Sequence, residues 1–290
     1  MFLCVGVFNM MVAIAVLVLL PSSVDSAKFL KDVEKVHVHE RLALDQAGNG
    51  RHIFKRTAIL ETLLDPGTHL LLLITIMVVI PSGVITTFSA TLIRGLGFDP
   101  KVSALLNMPS GVISIFATLT STFAIQLNVQ RWLSLILLFI PTIIGAGLMS
   151  FENSQAGALA GVYLINFCVA PLAIIYAWAG SNTQSYTRKV SVNVIIQIGF
   201  SAANIIGPQT FRAHETPRYI SAKATILAVN GSAVLLTVLL RLLYGYRNRE
   251  STKMREARLR ALSRGEIRMQ DLVEEEDLSD LTNPAFVYVY

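Results

Sequence analysis

Four polar side chains recur at helical spacing in a stretch that is otherwise apolar. Asn193, Gln197, Ser201 and Asn204 are separated by four, four and three residues inside the charge-free run 190–211. On a helix this spacing puts them in one stripe along one face. Amides and hydroxyls both donate and accept hydrogen bonds. Facing hydrocarbon, the same groups would be costly, so the stripe is expected to face other helices or water. Two roles are open to it: bonding between helices that holds a bundle together, or the lining of a solute path. Asn193, Gln197 and Asn204, with Asn107 from the separate charge-free run 102–130, are the candidate ligand-binding residues. Thr86 and Thr87 are weaker candidates of the same kind.

Other chemistries find less support. His37-Val-His39 has a spacing that suits a metal ion, but it lacks a third ligand nearby and reads as a solvated loop. Asn230-Gly231-Ser232 matches a glycosylation acceptor, yet it lies in the apolar run 224–240, out of reach of modifying enzymes. Nucleophile and phosphate-loop patterns are missing from the sequence. No catalytic residue, metal or cofactor is therefore expected, and the chain does not read as an enzyme. Cys4 and Cys168 both sit in apolar runs, where they suit packing as small hydrophobes better than a disulfide.

The elements that position these residues follow from composition. Hydrophobic residues make up 53% of the 290, charged residues only 15%, and mean hydropathy is +0.58. That is too apolar for an ordinary soluble domain. The runs 66–93, 102–130, 132–151, 153–187 and 190–211 contain no Asp, Glu, Lys or Arg. Each meets the requirement of roughly 20 apolar residues for a bilayer span. Runs 224–240 and 1–20 bring the expected spans to seven. Helices are the only reasonable form, because the runs are about twice the length of a membrane strand and lack its alternation. The fold class is an all-α polytopic membrane protein.

Basic residues set the orientation. If the spans alternate, one side holds 21–65, the turns near Arg131 and Arg188-Lys189, and everything from Arg241 onward. Of the 24 Lys and Arg residues, only Arg94, Lys101, Arg212, Arg218 and Lys223 fall on the other side, leaving 19. The positive-inside rule then makes 21–65 and the tail cytoplasmic. Nucleic-acid binding is the rival explanation of the net charge of +5. It is set aside because the charges are split among membrane-flanking loops. The segment 1–20 reads as a retained span rather than a secretory signal, since it lacks a basic n-region and cleavage would strand seven basic residues of 28–56 outside.

Punctuation inside the spans suggests bending. Pro81-Ser82-Gly83, Pro109-Ser110-Gly111, Pro141, Pro171 and Gly207-Pro208 are expected to interrupt or kink their helices, as in proteins whose helices rock. Gly157 and Gly161 form a small-xxx-small ridge that lets another helix approach closely. The stretch 247–270 mixes Arg, Glu and Leu as a solvated surface helix would, and Glu274-Glu-Glu-Asp277 then turns acidic.

Longer motifs resemble a known family. The string Asn204-Ile-Ile-Gly-Pro-Gln-Thr-Phe-Arg-Ala-His-Glu-Thr-Pro-Arg-Tyr219 resembles the end of the eleventh helix in fungal allantoate permease-like transporters, in the anion:cation symporter branch of the major facilitator superfamily. Thr87-Phe88, Gly95-Leu-Gly-Phe98, Leu106-Asn-Met-Pro-Ser-Gly111 and Arg188-Lys-Val-Ser-Val-Asn193 extend the likeness. Phe29-Leu30 through Glu40-Arg41-Leu42 is similar to the family's inter-bundle link, and Asp280-Leu-Thr-Asn-Pro-Ala-Phe286 to its ending. The resemblance implies the C-terminal six-helix bundle plus one preceding helix. Residues 1–20 would be the remnant of helix six, 21–65 the cytoplasmic inter-bundle loop, 66–246 the bundle and 247–290 a cytoplasmic tail.

Helices one to five have no counterpart here, and with them goes one wall of the substrate cavity. A truncated or degenerate gene fits this better than a half-transporter that works as a dimer. By resemblance, the function is proton-coupled symport of small organic anions, a ureide or vitamin-like carboxylate, by alternating access in a multi-pass protein of the plasma membrane. Its partners are the anion, protons, the lipid bilayer, and the missing N-terminal bundle or a second copy; nucleic acid is not among them. The alternatives are a seven-helix receptor or sensor and a non-transporting membrane fragment.

Overall fold

The computed structural model describes residues 2–21, 24–27, 29–44, 54–127, 129–152, 154–210, 220–264, 281 and 286–290. Residues 211–219 of the helix-eleven motif, with Arg212 and Arg218, and the acidic run at 274–277 lie outside them. The chain divides into two compact units, residues 1–51 and 52–290. The first contains α1 (Phe2–Leu19), apolar along its length, and α2 (Asp32–Leu44). The His37-Val-His39 pair lies on α2 rather than in a loop. Asp32 and Glu34 favour the helix N-terminus, and the Lys31 N–H donates to Glu34 at 2.8 Å. His37 pairs with Glu40 at 3.3 Å and His39 with Asp25 at 3.0 Å.

The second unit holds α3 (Arg56–Leu64), α4 (Pro66–Gly95), α5 (Pro100–Gln126), α6 (Arg131–Phe151), α7 (Gln155–Ile165), α8 (Pro171–Ser181), α9 (Tyr186–Gln209) and α10 (Ile220–Ser263). A 3₁₀ turn, Asn166–Val169, joins α7 to α8, so 155–181 forms one irregular span. Among the described residues, six helices are long and apolar enough to cross a membrane, and the more N-terminal apolar helix is shorter. With no strand among them, the fold is all-α and polytopic.

Local sequence explains the helix ends. Asp65 caps α4 by accepting the Gly67 N–H at 3.0 Å, and Pro66 occupies the first turn, where no N–H is needed. α7 starts on Ser154, whose hydroxyl accepts the Gly157 N–H at 3.1 Å. The prolines correct one part of an expectation, that they interrupt their helices. Pro81, Pro109, Pro141 and Pro208 all lie inside continuous helices. Only before Pro171 does the helix change type, where the 3₁₀ turn precedes a residue that has no N–H to extend the ladder.

Within this unit α4 packs along α9 and α10, and α6 along α7 and α10. One cluster gathers Leu71, Ile74, Leu138, Ile175, Trp178, Ile196 and Tyr244, together with Phe286 and Tyr288 from beyond α10. A second joins Val84, Ile93, Ala146, Met149, Ile165 and Ile226 toward the opposite ends of the helices. Buried hydroxyls and amides mostly bond carbonyls of their own helix: Thr75 to Leu71 and Thr237 to Ala233 at 2.7 Å, Asn166 to Val162 at 2.8 Å. Asn230 of the glycosylation-like triplet is buried and does the same with Ile226. The glycine ridge is half as expected. A Cβ on Gly161 would lie 2.7 Å from the Gly145 carbonyl oxygen, so α6 and α7 cross backbone to backbone, whereas Gly157 faces Glu152 and Ser154 of the short connection that precedes α7.

Candidate functional site

The polar stripe is a real feature of α9, with a division of labour among its members. Gln197 is exposed, Asn193 and Asn204 are half-buried. The Ser201 hydroxyl donates to the Gln197 carbonyl, and the Asn204 amide donates to the Phe200 carbonyl, both at 2.9 Å. Gln197 is hydrogen-bonded to a different helix: the Tyr176 hydroxyl of α8 donates to its Oε1 at 2.9 Å. That bond leaves the Gln197 amide hydrogens as the groups available to a ligand. Asn204 lies against Gly83 of α4, where an added Cβ would sit 3.4 Å from its Oδ1.

The structure does not join Asn107 to this group. Asn107 is on α5, with a buried Oδ1 that has no hydrogen-bond partner, and no hydrogen bond links it to α9 among the described residues. Thr86 and Thr87 bond back to Ser82 and Gly83 carbonyls at 2.9 Å, within their own helix. Among the described residues no three His, Cys, Asp or Glu side chains cluster as metal ligands would.

Sequence reasoning missed two features. Tyr176 is one, a single hydroxyl within Ile174-Ile-Tyr-Ala-Trp178. The other is an ion triad at the start of α4. Asp65, 5% exposed, accepts from Arg188 of α9 at 2.6 Å on one oxygen and from Arg247 of α10 on the other. Thr68 also donates to it, at 3.0 Å. Burial opposes ionisation of Asp65, but the hydrogen bond and charge of Arg247, the charge of Arg188 and the Gly67 N–H outweigh it and hold the carboxyl below its ordinary 3.8. Three helices are thereby pinned at one end of the bundle. Arg247 and Asn248, at the start of the expected solvated stretch, are correspondingly packed rather than free.

Six membrane-length helices, apolar faces turned outward and a polar stripe with one interhelical partner define the class: a multi-pass, all-α membrane protein. Comparison with known proteins narrows it. The chain is 31% identical over 288 residues to an uncharacterized transporter, C417.10, of Schizosaccharomyces pombe, covering 99% of this chain and 55% of the relative. It is 33% identical over 297 residues to the thiamine pathway transporter THI73 of Saccharomyces cerevisiae, covering 100% of this chain and 54% of the relative. To the allantoate permease of the same yeast it is 28% identical over 300 residues, covering 99% and 54%. The chain is therefore a homologue of fungal transporters that include allantoate permease, and the likeness carried by its motifs extends over nearly its whole length. It spans about half the length of the curated relatives it matches. No family model matches the chain. No solved structure matches it either.

Proposed function

We propose that this chain forms the C-terminal half of a major facilitator transporter that moves small organic anions together with protons by alternating access. The observation that supports this most is the α9 stripe: an exposed amide, Gln197, oriented by Tyr176 on a helix that also exposes large apolar side chains such as Ile198 and Ile205. A polar group displayed at membrane depth is tolerated against a second protein wall or a water-filled cavity. Two helical bundles around a midplane site supply both. The amide hydrogens of Gln197 suit the oxygens of a carboxylate, and Asn193 and Asn204 extend the same surface. Basic residues put the 21–65 loop and the tail on the cytoplasmic side.

The test joins the chain to the N-terminal bundle of one of its relatives and follows uptake of labelled allantoate into vesicles. Uptake driven by an inward proton gradient and competed by other small carboxylates is expected. Absence of uptake despite normal abundance, or uptake indifferent to the gradient, overturns the reading.

A further inference from the structure

Residues 286–290 lie across the start of α6, the end of α8 and the middle of α10, and they are held in the way a bound peptide is held. The residues alternate: Phe286 and Tyr288 are buried, while Val287 and Val289 are exposed. An extended segment with period-two burial presents every second side chain to a surface. Two asparagines grip its main chain from both sides. Asn248 of α10 donates to the Tyr288 carbonyl at 2.9 Å and accepts the Tyr288 N–H at 2.8 Å. Asn182, at the end of α8, donates to the Val289 carbonyl at 3.0 Å and accepts the Val289 N–H at 2.7 Å. The Trp178 indole adds a second donor to the Val289 carbonyl, at 2.8 Å.

The side chains fill matched positions. Tyr288 stacks on Tyr244 with ring centroids 5.1 Å apart and an interplanar angle of 13°, and Phe286 meets Tyr288 edge-on at 5.0 Å. The Arg241 guanidinium lies 3.4 Å over the Tyr290 ring. The Arg131 N–H, opening α6, donates to a main-chain oxygen of Tyr290 at 2.8 Å. Arg247, which pairs with Asp65, sits 5.5 Å above the Tyr288 ring, so the docked segment abuts the ion triad.

We propose that the surface between α8 and α10 is a binding site for an extended peptide with aromatic residues at alternate positions, and that residues 286–290 occupy it as a detachable clasp. Main-chain bonds supply the affinity and the aromatic positions supply the selectivity, as in other sites that capture extended segments. The segment is tethered to α10 through residues 265–285, so its local concentration is about millimolar and modest intrinsic affinity keeps it docked. Docked, it ties three helices together and backs Arg247 toward Asp65; released, it leaves Asn182, Asn248 and Trp178 without these partners. The site reads the peptide, not the tether, and a free peptide of the same pattern competes for it.

The experiment uses the full chain with Cys4 and Cys168 replaced by Ala and a spin label at Val287→Cys, an exposed position that makes none of the gripping bonds. The label is expected to be immobilised, and to become mobile when excess acetylated Phe-Val-Tyr-Val-Tyr is added. The double variant Asn182→Ala with Asn248→Ala is expected to mobilise it without peptide, because four main-chain bonds are lost. In a chain lacking 286–290, the free peptide is expected to raise the melting temperature saturably, and the double variant to weaken that binding about tenfold or more. A label that stays immobile under both treatments shows the segment to be a permanent part of the core and overturns the proposal. So does a label mobile from the start, or a scrambled peptide that acts equally well. If the shortened chain fails to fold, the spin-label arms on the intact chain decide alone.

Discussion

At the scale of single residues, Gln197 and Tyr176 make a distinction that either alone would not. If Gln197 serves a ligand, Gln197→Leu in a full-length transporter removes uptake while surface abundance holds, because an exposed side chain contributes little to packing. If it only ties α9 to α8, abundance and uptake fall together. Tyr176→Phe keeps the ring and removes the one hydrogen bond that orients the amide. The expected result is weaker substrate affinity at unchanged abundance, seen as a raised KM with kcat little altered. Asp65 belongs to a different argument. Its carboxyl titrates below its ordinary 3.8, so the ionised form is the one the fold prefers. Stability from this group is fully present above the ordinary value and drains away as pH falls through the lower folded one. Melting temperature should therefore drop in strongly acidic buffer, and less so in Asp65→Asn. At neutral pH, Asp65→Ala leaves two guanidinium groups facing each other, one of them buried, at a cost of about 3–5 kcal/mol.

At the scale of elements, the close crossing of α6 and α7 gives the sharpest expectation. A methyl at Gly145 would meet the Gly161 carbonyl at 2.7 Å and the Ile165 nitrogen at 2.8 Å. These are backbone atoms, which cannot swing aside, so the helices must part; Gly145→Ala is expected to destabilise by about 1–3 kcal/mol. Gly147, two residues on, has nothing within 4 Å of its added Cβ. Gly147→Ala should leave the melting temperature equal or raise it, since alanine favours a helix over glycine by about 1 kcal/mol. Equal effects at the two sites would contradict the crossing. The elements also show what sequence could reveal. The α9 stripe was legible because its period is local, one turn of one helix. The Gly161 ridge was legible as a ridge, but its true partner, Gly145, lies in another element. The Asp65 triad was not legible, because its partners are 123 and 182 residues away, and in the sequence Asp65 and Arg188 are only the boundaries of charge-free runs while Arg247 is one of many basic residues in the tail. The expected proline breaks misjudged the balance of forces: losing one backbone bond costs less than interrupting a packed membrane helix, so only Pro171 coincides with a change of helix type.

At the scale of the molecule, the remaining question is whether one bundle suffices. The α9 stripe and the exposed apolar faces of α5 and α9 require different surroundings. Ile115 at 63% and Phe123 at 63% exposure are at home against lipid chains. Gln197 is exposed too, and its amide hydrogens in hydrocarbon would cost roughly several kcal/mol. Water, a second helical wall or self-association each relieves that cost, but only a second wall makes a closed site that opens to alternate sides. In liposomes the 290-residue chain alone is therefore expected to accumulate no labelled carboxylate against its gradient. Supplying an N-terminal bundle as a separate polypeptide is expected to restore uptake, and Gln197→Leu to abolish that restoration. Gradient-driven uptake by the chain alone, together with a dimer by cross-linking, would instead show that two copies of this bundle build both walls.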